Sequence, residues 1–291
     1  MEHALPLFSH ALKPHSPVDY LLVGHATQDV LQNGGSRLGG TVTFSGLTAR
    51  ALGHSVGVIT ACAPDCDLSP LDGLTVSRVD SKTTTTFRNI STPQGRIQYL
   101  YHPATQLDAS HLPQEWRKPA IVHLGPVAAE VDPMIYRAFS DSLICLTPQG
   151  WLRGVDPEGR VHPVNWPFDH ELLKACHACV ISLEDVSGKE ELIEEFAAMC
   201  KLLVVTENKL GARVHWNGDV HSFPAPSVDL IEDTGAGDIF AACFFHRLYT
   251  TKDPWEAARF AVKLAAQSVT RTYLDSIPSP QEIEGAKVEI I

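Results

Sequence analysis

Short apolar runs that alternate with helix-like segments restrict the fold of this chain more than any other feature. Six such runs have the length and composition of buried strands: residues 20–23, 56–60, 121–124, 143–146, 179–182 and 202–206. Helix-like segments lie between and after them, at 44–52, 190–200 and 253–271. Strands that alternate with helices form a sheet that is covered on both faces. The sequence therefore predicts a three-layer α/β/α fold with a mainly parallel central sheet.

The segment 253–271 has the clearest helix start. Asp253 stands at the N-cap, Pro254 at the first helical position and Glu256 where it would complete a capping box. The apolar residues that follow recur at helical spacing. We therefore predict an amphipathic helix that begins just after Asp253.

A second pattern interrupts this alternation. Residues 83–89 and 96–101 are β-prone and flank a turn-like stretch at 91–95, which predicts a hairpin apart from the parallel sheet. We interpret it as part of a small β lid, with lid strands within about 25–38 and 82–102. No repeat or linker marks two independent domains. We expect an N-terminal segment, 1–18, followed by one domain, 19–291.

The charge balance limits the partners. The chain has 23 basic and 34 acidic residues, a formal net charge of −11. A broad surface for nucleic acid or anionic membranes is unfavourable, because phosphate groups select positive faces. No stretch approaches the roughly 18 apolar residues of a membrane span, and the start lacks the pattern of a signal peptide. We expect a cytoplasmic protein with a small-molecule partner.

The run 233–238 is the most specific chemical signal. It reads Asp-Thr-Gly-Ala-Gly-Asp, and a strongly apolar segment follows at once. Glycines permit a tight turn, and a helix that begins here would direct its free N–H groups towards a bound anion. Gly235, Ala236 and Gly237 are therefore expected to form an anion hole, with Asp238 as the base that accepts a hydroxyl proton. In isolation, the same residues would suit an ordinary turn with Asp238 as N-cap.

This run resembles the second signature of the ribokinase-like family, the PfkB carbohydrate kinases. Gly39 and Gly40 resemble the first signature of that family, a turn that lies against the substrate. Asp29, shortly after the first predicted strand, corresponds to an acidic residue that holds substrate hydroxyls. The order of the motifs matches the family over residues 19–272. The resemblance implies an ATP-dependent kinase that acts on a small cyclic polyol or sugar.

The predicted hairpin also resembles the lid strands that close over the sugar in this family. Thr86 is the residue in it that we expect to contact the substrate. Closure would exclude water and limit hydrolysis of ATP. A plain surface hairpin is the alternative.

Residues 204–214 resemble the nucleotide loop of the family, with Thr206, Asn208 and Gly211 at its defining positions and Thr234 nearby in the second signature. Asn208 replaces the first usual glycine, and asparagine tolerates a positive φ better than most residues. The resemblance implies that these residues bind the nucleotide. As an alternative, Thr206 and Gly211 are turn residues of a β-hairpin.

Three positions depart from the usual family pattern. Asp185 stands at a magnesium-organising position, but the accompanying asparagine is absent, so we expect it to hold Mg²⁺ through water. Arg153 is the cation that matches a substrate-binding run. Phe44 replaces an asparagine that contacts the substrate in many sugar kinases. These departures resemble plant-type myo-inositol kinases of the same family.

The resemblance thus implies ATP and Mg²⁺ as cofactors and admits a monovalent cation. Myo-inositol is the first expected acceptor and another sugar the second. A nucleoside kinase and a catalytically weak ligand-binding relative remain alternatives. Lid hairpins pair between subunits in some members of the family, which makes a homodimer an expectation too.

Overall fold

The structure, a computed structural model, describes residues 16–31, 34–92 and 95–287. Within them, the strands are β1 (Tyr20–Val23), β2 (Thr27–Val30), β3 (Ser36–Gly39), β4 (Val56–Cys62), β5 (Thr75–Asp80), β6 (Thr86–Thr92), β7 (Gly95–His102), β8 (Ile121–Leu124), β9 (Leu143–Leu146), β10 (Arg153–Val155), β11 (Val161–Pro163), β12 (Ala178–Ser182), β13 (Leu202–Thr206), β14 (Ala212–Trp216) and β15 (Asp219–Phe223). The α-helices are α1 (Thr41–Ala51), α2 (Glu171–Ala175), α3 (Glu190–Met199), α4 (Ala236–Thr251), α5 (Pro254–Ser268) and α6 (Pro280–Ala286). None of the helices in these described ranges is long and apolar enough to cross a membrane.

A nine-stranded sheet forms the centre, in the order β15-β14-β13-β12-β9-β8-β1-β4-β5. In this order, every neighbouring pair of strands between β13 and β5 is parallel, whereas β14 and β15 each run antiparallel to the strand before them in the chain. The six predicted strands all form, within two residues of their expected bounds. The predicted α/β fold with a mainly parallel central sheet is confirmed.

Alternate residues of the central strands pack into two separate hydrophobic cores, one on each face of the sheet. In β1, Tyr20 and Leu22 belong to the core that includes α1, α4 and α5, whereas Leu21 and Val23 belong to the core that includes α3. All four side chains are fully buried. A strand with apolar residues on both faces needs helices on both faces, which explains why its sequence is continuously apolar rather than alternating.

The start of α5 agrees with the prediction except in one respect. Asp253 accepts hydrogen bonds from the N–H groups of Trp255 at 2.8 Å and Glu256 at 3.2 Å. The predicted capping box is wrong, because the Glu256 carboxylate instead accepts two hydrogen bonds from Arg247 on α4. A charged guanidinium is a stronger partner for this carboxylate than a backbone N–H.

A separate four-stranded sheet, which we call the lid, has the order β3-β2-β6-β7. The predicted hairpin corresponds to antiparallel β6 and β7, and β2 joins it through a parallel pairing with β6. At the β7 edge, the N–H of Leu100 donates to the carbonyl of Gly159 in the hairpin formed by β10 and β11. That hairpin begins at Arg153, so the lid and the predicted site are structurally connected. The turn residues 93–94 and most of the predicted N-terminal segment, 1–15, lie outside the described residues.

Candidate active site

Two helices begin next to each other at the predicted site. Gly40 is the N-cap of α1 and Gly235 the N-cap of α4, with φ of 87° and 82°. The hydroxyl of Ser45 on α1 donates to the backbone carbonyl of Asp238 on α4 at 2.8 Å, which ties the two helix starts together. Positive φ favours glycine at both caps. The two positive helix ends favour an anion in the space between them.

Asp238 lies in the first turn of α4 and is partly buried. Burial raises the pKa of its carboxyl to about 6, against the opposing effects of a hydrogen bond from Thr41 and the charge of Arg153. The charges of Asp185 and Asp29 raise the pKa of Asp238 further. Four residues that the sequence singled out at distant positions therefore interact here. A carboxyl with a pKa near 6 suits a base that works near neutral pH.

The two glycines of the predicted anion hole have different surroundings. A Cβ at Gly235 would collide with the ring of Phe44, whereas a Cβ at Gly237 would meet nothing within 4 Å. Ala236 between them is the first residue of α4. Gly235 thus allows Phe44 to pack closely against the run 233–238. The backbone at Gly237 borders open space that a ligand can enter.

Phe44 is a core residue in this structure. Its side chain is 2% exposed, and its ring lies edge-on to Tyr273 at 6.1 Å between ring centroids. Together with its contact to Gly235, this packing supports the anion-hole loop from below. The contact between Phe44 and a substrate stays a prediction, and the packing alone explains why an apolar ring is needed.

The residues predicted to bind the acceptor, Asp29 and Thr86, lie in neighbouring strands of the lid. Asp29 on β2 accepts a hydrogen bond from Thr27 at 3.2 Å, and a Cβ at Gly39 would lie 2.5 Å from its carboxylate oxygen. A larger residue at 39 would therefore displace the carboxylate. Thr86 lies in β6 beside β2, and its hydroxyl donates to the carbonyl of Thr84 at 2.8 Å.

Asp185 follows β12 and is held by local hydrogen bonds. It accepts one from the backbone N–H of Ser182 at 2.8 Å and one from the side-chain amide of Gln149 at 3.2 Å. Within the described residues, no group of three or more His, Cys, Asp or Glu is arranged to hold a metal ion. The surroundings of Asp185 fit Mg²⁺, which usually binds one or two carboxylates, water and substrate phosphates rather than a protein cage.

The predicted nucleotide loop joins β13 to antiparallel β14, so its backbone is also that of a hairpin turn. Asn208 has a φ of 50° and Gly211 a φ of 99°, as expected for the two positions. Arg213 fixes the loop, because its guanidinium donates to Glu207 at 2.6 Å and to Glu190 at 2.8 Å. The nucleotide contact of this loop stays a prediction.

Thr41 and Ser45, which contact Asp238, were missed by the sequence reasoning. Thr41 directly follows Gly40, so its position at the start of a predicted helix was a usable signal. Ser45 carried no signal, because its partner is 193 residues away. Such pairings depend on how α1 packs against α4, and no local pattern reports that.

Comparison with known proteins agrees with the resemblance seen in the sequence. The model of the pfkB family carbohydrate kinases matches residues 164–282, which are 119 of the 291 residues. This segment is similar to that family. The similarities indicate a phosphotransferase with a hydroxyl group as acceptor. The matched segment includes the loop 206–211 and the run 233–238.

Fructokinase of Escherichia coli is 28% identical over 214 residues, which cover 65% of this chain and 68% of that protein. A pyrophosphate-dependent kinase of the ribokinase family, solved with a pyrophosphate analogue and myo-inositol, has a TM-score of 0.74 at 22% identity and covers 91% of this chain and 99% of its own. Ribokinase of Thermotoga maritima has a TM-score of 0.69 at 19% identity, covering 92% of this chain and 99% of that chain. At these identities the two solved structures demonstrate the shared fold only.

Proposed function

We propose that this domain transfers the γ-phosphoryl group of ATP, together with Mg²⁺, to a hydroxyl of a small cyclic polyol or sugar. The observation that carries the proposal is the surroundings of Asp238. Its carboxylate lies at the start of α4, bonded to Thr41 and within the electrostatic influence of Arg153 and Asp29. The proposed base, cation and acceptor-side carboxylate thus interact electrostatically, which supports a site for in-line phosphoryl transfer.

In the proposed mechanism, Asp29 and the backbone around Gly39 and Gly40 bind the acceptor hydroxyls. Asp238 accepts the proton of the reacting hydroxyl, whose oxygen forms a bond to the γ-phosphorus while the bond from that phosphorus to the ADP oxygen breaks. The N–H groups at the start of α4 stabilise the charge on the transferred group. Mg²⁺, when bound, neutralises phosphate charge, and Asp185 would hold it through water.

Exposed apolar residues favour ATP over pyrophosphate as the donor. Leu210 is 65% exposed in the loop after β13, and Leu230 and Ile231 are 66% and 63% exposed just before the anion-hole run. An adenine ring gains from apolar surface, and pyrophosphate has no such group. Because some structural neighbours are pyrophosphate-dependent kinases, pyrophosphate is included as a second donor in the assay described below.

Myo-inositol is the first proposed acceptor, supported by the neighbours whose names include myo-inositol. Fructose is next, because the fructokinase relative has the higher identity. The core packing of Phe44 weakens the argument from that residue for inositol. A nucleoside acceptor and a catalytically weak ligand-binding role are the remaining alternatives.

The test is a donor-consumption assay with ATP or pyrophosphate against myo-inositol, fructose, ribose, 2-keto-3-deoxygluconate and adenosine. We expect acceptor-dependent turnover with ATP and no comparable turnover with pyrophosphate. Asp238→Asn is the matched control, since it preserves shape and removes the base. The kinase proposal fails if purified, folded protein shows no acceptor-dependent turnover with either donor.

Three further expectations belong to this proposal. A homodimer through the lid would appear in light scattering and be lost when the exposed Tyr101 of β7 is replaced by a charged residue. A requirement for a monovalent cation would appear as a rate difference between potassium and choline salts. A cytoplasmic location would appear in fractionation of cells that express the chain.

A further inference from the structure

A group of contacts crosses from the lid to the anion-hole side, and we call it the clasp: Arg37, Glu232 and Tyr273. Arg37 of β3 donates to the carboxylate of Glu232. The same carboxylate accepts the backbone N–H of Tyr273 at 3.1 Å. The hydroxyl of Tyr273 donates to the backbone carbonyl of Leu38 at 2.9 Å, and the Arg37 guanidinium lies 5.0 Å from the centroid of its ring. These contacts form a closed ring, which links β3 to Glu232 before α4 and to Tyr273 after α5.

The ion pair is shielded from water. The side chains of Arg37 and Glu232 are 23% and 20% exposed. Burial alone would raise the pKa of Glu232, but the hydrogen bond and charge of Arg37, with bonds from Tyr273 and Thr234, hold it below its ordinary value. Fully exposed ion pairs contribute little to stability, whereas a shielded pair with several hydrogen bonds fixes the geometry of its partners.

The clasp joins the two parts of the proposed reaction. Arg37 is directly opposite Asp29 in the pairing of β2 with β3. Glu232 immediately precedes the run 233–238, and Thr234 of that run bonds to its carboxylate. A shift of β3 that moves Asp29 would therefore also move the loop that we propose to stabilise the transferred phosphoryl group. Tyr273 keeps a positive φ of 48°, an unfavourable value that its surroundings must maintain.

We propose that Arg37 is a positioning residue for phosphoryl transfer, which acts through Glu232 to hold the anion-hole loop in register with the acceptor. The inference rests on the proposed kinase function. Loss of the clasp should therefore affect transfer to the acceptor more than hydrolysis of the donor. Transfer to the acceptor needs both sides aligned, whereas hydrolysis of the donor by water needs only the donor side.

The experiment compares Arg37→Met, Arg37→Lys and Arg247→Met. Arg247 forms a similarly shielded ion pair with Glu256, between α4 and α5, and is the control for loss of an ion pair as such. For each variant, acceptor-dependent transfer and acceptor-free donor hydrolysis are measured. We expect Arg37→Met to lower the ratio of transfer to hydrolysis by about 10²-fold, the effect of a misplacement near 1 Å. Arg37→Lys should recover part of the loss, because lysine keeps the charge without the fork of donors.

A ratio in Arg37→Met within about threefold of the wild type would overturn the proposal, as would an equal fall in Arg247→Met. If the wild type itself transfers nothing, the kinase proposal has failed and a second measurement decides on the clasp. Amide hydrogen exchange at 233–237 should be faster in Arg37→Met than in the wild type and Arg247→Met. Unchanged exchange there would refute the clasp independently of activity.

Discussion

Replacing Asp238 by Asn is expected to lower activity and raise stability at alkaline pH. Burial is the main reason that the pKa of Asp238 rises from 3.8 to about 6. The folded state therefore binds this proton more tightly than the unfolded chain does. By linkage, the contribution of Asp238 to stability is highest below pH 3.8 and falls as the pH rises through about 6. At pH 8 the ionised carboxylate destabilises the fold.

The size of both effects follows from the same pKa. A pKa of about 6 instead of 3.8 corresponds to about 1–3 kcal/mol at pH 8, the lower end allowing for the partial exposure of the side chain. Asn cannot ionise, so the variant should gain that free energy of unfolding at pH 8 and little at pH 4. Turnover should fall by about 10²–10⁴-fold, the loss expected for a positioned base.

The measurements are urea unfolding at pH 4 and pH 8 and acceptor-dependent turnover at pH 8. Asp141→Asn is the matched control, because the side chain of Asp141 is 69% exposed and pairs with the exposed Lys118 rather than with a residue of the candidate site. The wild type should also lose about tenfold of its kcat/KM between pH 7 and pH 5, as Asp238 becomes protonated. Near-normal turnover of Asp238→Asn would remove the base assignment. A variant less stable than the wild type at pH 8 would refute the electrostatic argument.

The remaining predictions concern the glycines and the other carboxylates. Gly235→Ala should destabilise the fold by about 1–3 kcal/mol, because its Cβ collides with Phe44 at a positive φ. Gly237→Ala should fold normally but bind the donor less tightly, since only a ligand approaches that backbone; equal melting temperatures for these two variants would contradict the difference. Asp29→Ala should weaken acceptor binding by about 1.5–3 kcal/mol and leave donor affinity unchanged in calorimetry. Asp185→Asn should raise the Mg²⁺ concentration for half-maximal rate, and an unchanged value would exclude Asp185 as a magnesium residue.

The main sheet could be predicted from the sequence because its signal is local. The six predicted strands, β1, β4, β8, β9, β12 and β13, have buried residues on both faces, so a short continuous apolar run marks each of them. Strands β5, β14 and β15 lie at the ends of the sheet and lack such a run, so they were not predicted as strands of the sheet. His215 and Trp216 of β14 are half-buried, and most of β15 is exposed at the sheet edge. Their composition therefore differs little from that of a loop.

The candidate carboxylates could also be named from the sequence, Asp238 because the glycine-rich turn beside it is distinctive, and Asp29 and Asp185 from the resemblance to the family. The contacts that hold the site together could not be predicted from the sequence. The contact of Phe44 with Gly235 and the bond of Arg37 with Glu232 span about 190 residues of sequence. Phe44 is the instructive example, because an apolar residue in a helix looks the same whether it meets a substrate or supports a loop.

The charges of the candidate site bear on how a chain of net charge −11 would bind the proposed donor, a polyanion. Asp29, Asp185 and Asp238 contribute negative charge around the place that we propose for the phosphoryl group, and the charges of Asp185 and Asp29 add to the effect of burial in raising the pKa of Asp238. Arg153 offsets part of this charge, and the starts of α1 and α4 add the partial positive charge of their N–H groups. The remaining imbalance favours a divalent cation arriving with the donor, because the cation then neutralises carboxylate and phosphate together. An acidic cleft of this kind would bind a magnesium-complexed donor better than a free phosphate. The charges of the candidate site thus support the proposed dependence on Mg²⁺ independently of the resemblance to the family.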